Sequence, residues 1–220
     1  MRAWGREFQA SGWWHSFELP DGRTIEGVNS IDGLKRRAAL FPIAPNLAGK
    51  RVLDIGAWDG WFSFEMERRG AEVVAVDCVD NRNFREIHST LGSKVDYRVL
   101  DVYDLTPDEV GHFDIVLFLG VLYHLKHPLL ALERICALTR DLAIVQTFVA
   151  AQSGPPAMQF YETDELGGQF DNWVGPNVSC VLAWCRMAGF LRVDLLHPDL
   201  NADLNADSND AAVACYRNPA

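Results

Sequence analysis

No stretch of the 220-residue sequence approaches 18 consecutive apolar residues, so no membrane-spanning helix is expected. The first ten residues carry Arg2, Arg6 and Glu7 and lack the apolar core of a secretory signal. Cysteine is sparse. The five residues Cys78, Cys136, Cys180, Cys185 and Cys215 are odd in number and lack the paired spacing of a zinc site, so no metal is expected. Four of them fall in segments that read as strand or helix interiors. There a reduced thiol behaves as a small apolar side chain, and a reduced, cytoplasmic setting is expected. Basic charge is also short: 20 Lys and Arg against 30 Asp and Glu, a net charge of −10. Phosphate backbones are bound by clustered cations, so this balance disfavours a nucleic-acid partner. Residues 1–48 are near neutral, with six basic and five acidic side chains. Their one basic cluster, Lys35-Arg36-Arg37, reads as a solvated helix face. There is no repeat of solenoid period and no low-complexity tract.

What the chain does have, from residue 50 onward, is alternation. Arg51–Gly56 (RVLDIG), Glu72–Cys78 (EVVAVDC), Val95–Val102 (VDYRVLDV), Phe113–Gly120 (FDIVLFLG) and Leu142–Val149 (LAIVQTFV) are short, β-branched runs bounded by Gly or Asp, and read as buried strands. Helical stretches lie between them: Gly60–Arg69, Arg82–Leu91 and Pro128–Leu138. Such alternation implies right-handed crossovers and a parallel sheet covered on both faces. The last third differs. Asn177–Gly189 reads as a helix closed by a glycine cap. Leu191–Leu196 and Ala211–Tyr216 read as two strands joined by a polar loop without a helix, hence as antiparallel neighbours. Residues 1–48 lack the alternation and contain a hairpin-like FELPDGRTIEG with Asp21-Gly22 at its turn. Residues 151–176 are too long for an ordinary connection, open on Gly154-Pro155-Pro156, and carry Met158, Phe160, Tyr161, Phe170 and Trp173. The expected organisation is a cover at 1–48, and a ligand-binding domain at 49–220 with an inserted lid at 151–176.

The strongest local signal is VLDIGAWDGWFSF, residues 52–64. A strand carries Asp54 near its end, a turn holds Gly56, Ala57 and Trp58, and a helix starts near Gly60. Ligands of open α/β sheets bind at the carboxyl ends of strands beside such turns, where glycine lets the backbone come close. The dinucleotide pattern G-x-G-x-x-G does not fit, because Trp58 stands at its second glycine. Asp54 and Asp59 would also repel a pyrophosphate. Asp77, at the second strand end, is placed to accept two ribose hydroxyls. Asp101-Val102 follows the third strand.

The segment D-I-G-A-W-D-G resembles the first motif of class I S-adenosylmethionine (SAM)-dependent methyltransferases, usually D/E-x-G-x-G-x-G. That resemblance implies a Rossmann-like seven-stranded α/β sheet whose last strand is antiparallel, and SAM as cofactor. It implies SAM contacts at Asp54, Gly56, Ala57, Trp58, Gly60, Asp77, Cys78, Asp101, Val102 and Leu119. SAM carries a sulfonium and an ammonium, which tolerate nearby acids. Residues 119–130, LGVLYHLKHPLL, together with PNVSCVLAWCRMAGF, resemble the family of the tRNA wobble-uridine carboxymethyltransferase over residues 34–190. On that likeness Tyr123 falls on a tyrosine that binds the extra carboxylate of carboxy-SAM, and Arg36 falls near a cofactor-binding lysine. Two departures point instead to ordinary SAM and a small-molecule acceptor, such as a sugar or natural product. The long N-terminal extension is absent, and no arginine precedes the last strand in SNDAAVACYR.

Methyl transfer to a hydroxyl needs alignment and a base. The candidates at the fourth strand end are Tyr123 and His124, with helix capping by His124 as the alternative. His127, before Pro128, reads as structural. Trp13, Trp14, His15, Phe160, Tyr161 and Trp173 are candidate acceptor contacts, with packing as the alternative for each. A non-catalytic partner subunit on the same fold is the competing class, and the complete set Asp54, Gly56, Gly60 and Asp77 argues against it.

Overall fold

The computed structural model describes residues 12–197 and 210–218. The expected cover at 1–48 is therefore described from residue 12, and most of the polar loop before the last strand lies outside the described residues. The chain forms two compact units, Met1–Asp101 and Val102–Ala220.

In the first unit, Phe17–Glu18 pairs antiparallel with Thr24–Ile25 around the Asp21-Gly22 turn, as the hairpin signature predicts. Helix α1 (Ile31–Leu40) follows. Ser30 caps it by accepting from the Gly33 N–H at 3.2 Å. Lys35 and Arg36 are exposed on it, in line with a solvated face, whereas Arg37 is half-buried. Then come strand β1 (Arg51–Ile55), helix α2 (Trp61–Arg68), β2 (Glu72–Asp77), α3 (Arg82–Leu91) and β3 (Asp96–Val99). The three strands are parallel, with Asp54 beside Ala75 and Val76 beside Arg98. Val52, Leu53, Val74, Ala75 and Val76 are all at most 3% exposed, as the continuous apolar runs require of a sheet covered on both faces.

The second unit contains α4 (Pro107–Val110), β4 (Phe113–Leu119), α5 (Pro128–Leu138), β5 (Thr139–Phe148), α6 (Val178–Met187), β6 (Arg192–His197) and β7 (Asp210–Tyr216). β4 and β5 are parallel. β7 runs antiparallel to both β5 and β6 and lies between them. The seven-stranded order is β6-β7-β5-β4-β1-β2-β3. This is the Rossmann-like class I methyltransferase sheet with its antiparallel last strand. Asn177 caps α6 by accepting from the Cys180 N–H at 2.8 Å, and Gly189 follows the helix at φ 108°.

Two boundaries moved by three residues. β3 is only Asp96–Val99, and the bond from the Leu100 N–H to the Asp77 carbonyl is the last of its ladder with β2. β5 starts at Thr139, directly after α5, where the Thr139 hydroxyl donates to the Ile135 carbonyl. Residues 151–176 are ordered by a short antiparallel pair, Met158–Phe160 with Val174–Pro176. Among the described residues no helix is long and apolar enough to cross a membrane. Cys78 is exposed and the other four cysteines are free and buried.

Candidate functional site

In the first unit the glycine turn is tight despite Trp58. Gly56 has φ 73° and Trp58 φ 51°, the one non-glycine residue in the left-handed region among the described residues. Two contacts hold the turn. The N–H groups of Gly56 and Ala57 donate to the Val76 carbonyl, and the Trp58 N–H donates to Asp77 Oδ2 at 3.0 Å. Asp77 thereby serves both the turn and its own strand end, since Oδ1 accepts from the Val79 N–H at 3.1 Å. Its carboxyl is 7% exposed, and burial raises its pKa against these bonds. Asp54 is 3% exposed, accepts from the Ser63 hydroxyl at 2.6 Å, and is pushed up to about 6 by burial, with the nearby charge of Asp77 adding to the shift. Ala57 is buried, Cys78 and Asp101 are exposed. Although the residue is exposed, partial desolvation of its sulfur and the charges of Asp77 and Asp101 raise the Cys78 thiol, so it stays protonated.

Two residues of the motif make close contacts inside the protein. Asp59 is fully buried and accepts from the backbone N–H groups of Trp14 at 2.6 Å and His15 at 3.0 Å, and from the amides of Asn81 and Asn83. It is a clamp for the N-terminal segment. Gly60 is needed for packing: a Cβ there would stand 2.6 Å from the Phe84 ring and 2.7 Å from Phe64. Trp14 is 39% exposed and Trp13 half-buried against Phe17. His15 is 6% exposed, edge-on to Phe62, and its pKa falls to about 3 through burial and the positive charge of Arg37. It is a neutral packing residue in this structure.

In the second unit Val102 is buried, in a single 3-10 turn Val102–Asp104. Leu119 ends β4 and Gly120 turns at φ 72°. A second 3-10 turn, Leu122–His124, buries Leu122 and brings the Tyr123 and His124 rings to 4.2 Å. The lid segment joins here. The Trp173 N–H donates to the Tyr123 carbonyl at 2.8 Å, and His124 Nδ1 lies 3.2 Å from the Asp171 carbonyl oxygen. A carbonyl only accepts, so Nδ1 carries the proton and Nε2 the lone pair. Burial lowers the His124 pKa, opposed by the Asp171 carboxylate, whose oxygen is 3.9 Å from Nδ1. His127 is exposed at the start of α5, and its N–H donates to the Tyr103 hydroxyl. On the lid, Phe160 is 60% exposed and stacks on Trp173, over which Lys126 Nζ sits at 4.4 Å. Tyr161 is buried and packs where Gly175 lacks a Cβ, so its aromatic mass fills the lid's interior.

Sequence reasoning passed over Gln146 and Asp210. Gln146 is 5% exposed within an otherwise apolar strand, and its Nε2 donates to Asp210 Oδ2 at 2.8 Å. A polar residue inside LAIVQTFV was the available signal.

Residues 30–177 match the family described as "Methyltransferase domain". The ubiquinone biosynthesis O-methyltransferase of Xanthomonas euvesicatoria pv. vesicatoria (strain 85-10) is 42% identical over 132 residues, and that of Xanthomonas oryzae pv. oryzae (strain PXO99A) is 40% identical over 132 residues. Each comparison covers 58% of this chain and 51% of the relative, so the chain spans about half the length of these curated relatives. Among solved structures, the N-terminal domain of EvdMO1 with S-adenosylhomocysteine (SAH) bound aligns over 96% of each chain with a TM-score of 0.70 at 23% identity. The [4+2]-cyclase SpnF aligns over 83% of this chain and 80% of its own, with a TM-score of 0.63 at 16% identity. At such identities the likeness is one of fold, and a fold hosts several chemistries. With two thirds of its length matched by the family and its sheet in the class I order, the chain belongs to the methyltransferase-domain family.

Proposed function

We propose that the chain is a SAM-dependent O-methyltransferase acting on a small hydroxylated molecule, with His124 as the base. The observation that carries the reading is the hydrogen bond of His124 Nδ1 to the Asp171 carbonyl oxygen. It assigns the proton to Nδ1 and the basic lone pair to Nε2. Burial keeps the ring neutral near pH 7.

The first unit's residues fit SAM. Asp54 and Asp77 are buried carboxylates close enough for one to raise the other's pKa, which suits a cationic ligand and would repel a pyrophosphate. Asp77 would hold the ribose hydroxyls, with the Gly56-Ala57-Trp58 turn, Asp101 and Val102 as further contacts. When bound, SAM supplies an activated methyl group. The chain's own task is to bind and orient the acceptor, exclude water and receive the hydroxyl proton on His124 Nε2. Tyr123, packed against the His124 ring, positions it. Trp14, Phe160 and Trp173 present aromatic surface for the acceptor, and residues 1–48 and 151–176 serve as covers.

The curated relatives' name, ubiquinone biosynthesis O-methyltransferase, supports oxygen as the methylated atom. The solved N-terminal domain of EvdMO1 in the presence of SAH and D-fucose supports a small polyhydroxylated acceptor. The exposed Arg36, and the lack of an arginine before β7, favour SAM over its carboxylated form and a small acceptor over tRNA. His124→Gln keeps hydrogen bonding but removes the base. It should lower turnover at least about tenfold while SAM affinity by calorimetry holds. Wild-type turnover should decline only as pH drops below the lowered imidazole pKa, and that acid limb should vanish in the variant. Wild-type turnover by H124Q would leave His124 a structural residue. Failure of the wild-type protein to bind SAM would favour the non-catalytic partner.

A further inference from the structure

At the carboxyl ends of β4 and β5, where antiparallel β7 begins, the second unit holds a polar cluster that the motif residues do not explain. Gln146 is its centre. It is 5% exposed and follows Ala143, Ile144 and Val145, none of which is exposed at all. Burying a carboxamide among apolar neighbours is unfavourable unless its hydrogen bonds are made. Its nitrogen is committed, since Nε2 donates to Asp210 Oδ2 at 2.8 Å. An ionised carboxylate only accepts, so the amide has one orientation: nitrogen toward Asp210, oxygen away from it.

That oxygen faces a ledge made by Gly120. Gly120 has φ 72°, and its N–H donates to the Gln146 backbone carbonyl at 3.0 Å, which fixes the ledge to β5. Gln146 Oε1 and the Tyr123 hydroxyl each lie 3.9 Å from the point where a Gly120 Cβ would stand. The missing side chain therefore leaves space bordered by a fixed acceptor and a phenolic hydroxyl, and the Tyr123 ring lies in turn against the His124 ring, tilted by 41° with centroids 4.2 Å apart.

Resting on the methyltransferase reading above, we propose that Gln146 is the specificity-determining residue of the acceptor site, and that the acceptor is a vicinal diol. One hydroxyl gives its proton to His124, and its oxygen forms the new O–CH3 bond as the S–CH3 bond of SAM breaks and SAH leaves. Its neighbour donates a hydrogen bond to Gln146 Oε1, whose direction Asp210 enforces. A monohydroxyl analogue leaves Oε1 facing an apolar group, and sites built to bind a hydroxyl discriminate strongly against analogues that lack it. The diol can sit on an aromatic ring, as in a catechol, or on a sugar, and the test separates the two.

Purified protein is assayed for SAH formation with 3,4-dihydroxybenzoate against 3- and 4-hydroxybenzoate, and with D-fucose against its 2-, 3- and 4-deoxy analogues. On one scaffold the diol should exceed its monohydroxyl or deoxy counterpart by at least about tenfold in kcat/KM. Gln146→Leu should collapse that ratio toward one. Asp210→Asn, which lets the amide turn over, should reduce it without changing the melting midpoint. SAM binding by calorimetry should persist in both variants. Equal use of diol and analogue by the wild type, an unchanged ratio in Q146L, or no turnover of any diol by a protein that binds SAM would each overturn the proposal. Absence of SAM binding in the wild type would instead sink the methyltransferase reading itself.

Discussion

Replacing Gly60 by alanine tests whether the second glycine of the motif serves a ligand or the core. The residue sits at φ 89° at the start of α2, and an added Cβ would stand 2.6 Å from two atoms of the Phe84 ring. Two costs follow. A left-handed backbone costs an L-residue about 1–2 kcal/mol. Forcing a methyl into a packed site costs about 1–3 kcal/mol more, and Phe84 has little room to yield, being fully buried and stacked 4.0 Å from Tyr97. At ~2–4 °C per kcal/mol for a chain of this size, the melting midpoint should fall by roughly 10 °C. Gly49 provides the control. It has φ 77° but nothing within 4 Å of its Cβ position, so G49A carries only the backbone cost of about 1–2 kcal/mol. In a double-mutant cycle, G60A and F84L should couple by about 1–3 kcal/mol, because the smaller side chain relieves the clash. Thermal melts and urea titrations read all four proteins. If G60A is no more destabilising than G49A, or if G60A and F84L are additive, the packing argument is wrong. A G60A protein of normal stability with weakened SAM binding would return the glycine to the ligand.

Asp77→Ala should weaken SAM binding about 10- to 100-fold in calorimetry, through loss of charge-assisted hydrogen bonds worth about 1.5–3 kcal/mol; unchanged affinity refutes the ribose assignment. Asp59→Ala orphans the buried N–H of His15 and the N–H of Trp14. It should cost ~2–4 kcal/mol and speed hydrogen exchange at residues 13–16, whereas unaltered exchange would show that the clamp is dispensable. Asp54 holds its proton more tightly when folded, with a pKa of about 6 against an ordinary 3.8. The native state therefore binds more protons than the unfolded chain in this window, and the contribution of Asp54 to stability falls by ~3 kcal/mol as pH rises from about 4 to about 6. Asp54→Asn keeps a partner for the Ser63 hydroxyl and should flatten that slope; urea midpoints with the same pH dependence as wild type would contradict it.

The sheet was legible because its strands are runs of β-branched residues broken by Gly and Asp, and because the polar link before β7 rules out a crossover helix. α5 was legible to the residue and α3 in its approximate span, being bounded by Pro128 and by Asn81 and Gly92. The lengths of β3 and β5 were not, since they depend on where the ladder finds its last partner. Positions in the candidate site were legible where they depend on the local chain: the turn at Gly56, Asp77 at a strand end, His124 after β4. It was hidden where the partner is remote. Asp59 reads as a ligand-facing acid until its bonds to Trp14 and His15, 44 or more residues earlier, are seen. Gln146 pairs with an aspartate 64 residues away. For His15 and Tyr161 the sequence leaves acceptor contact and packing both open, and their burial depends on neighbours distant in the chain.

The place of β7 bears on synthesis as well as on the finished sheet. All seven of its residues pair with β5, and most also pair with β6 on the other side. Neither neighbour can bond that edge until residues 210–216 leave the ribosome. At roughly 5–20 residues per second, β5 waits several seconds after its own emergence with an apolar edge open. Open strand edges pair with other chains, so the nascent protein is at its most aggregation-prone in this interval. A chaperone that holds the β5 edge, or faster translation between β5 and β7 that shortens the interval, would raise the yield of folded protein without touching any contact of the native state.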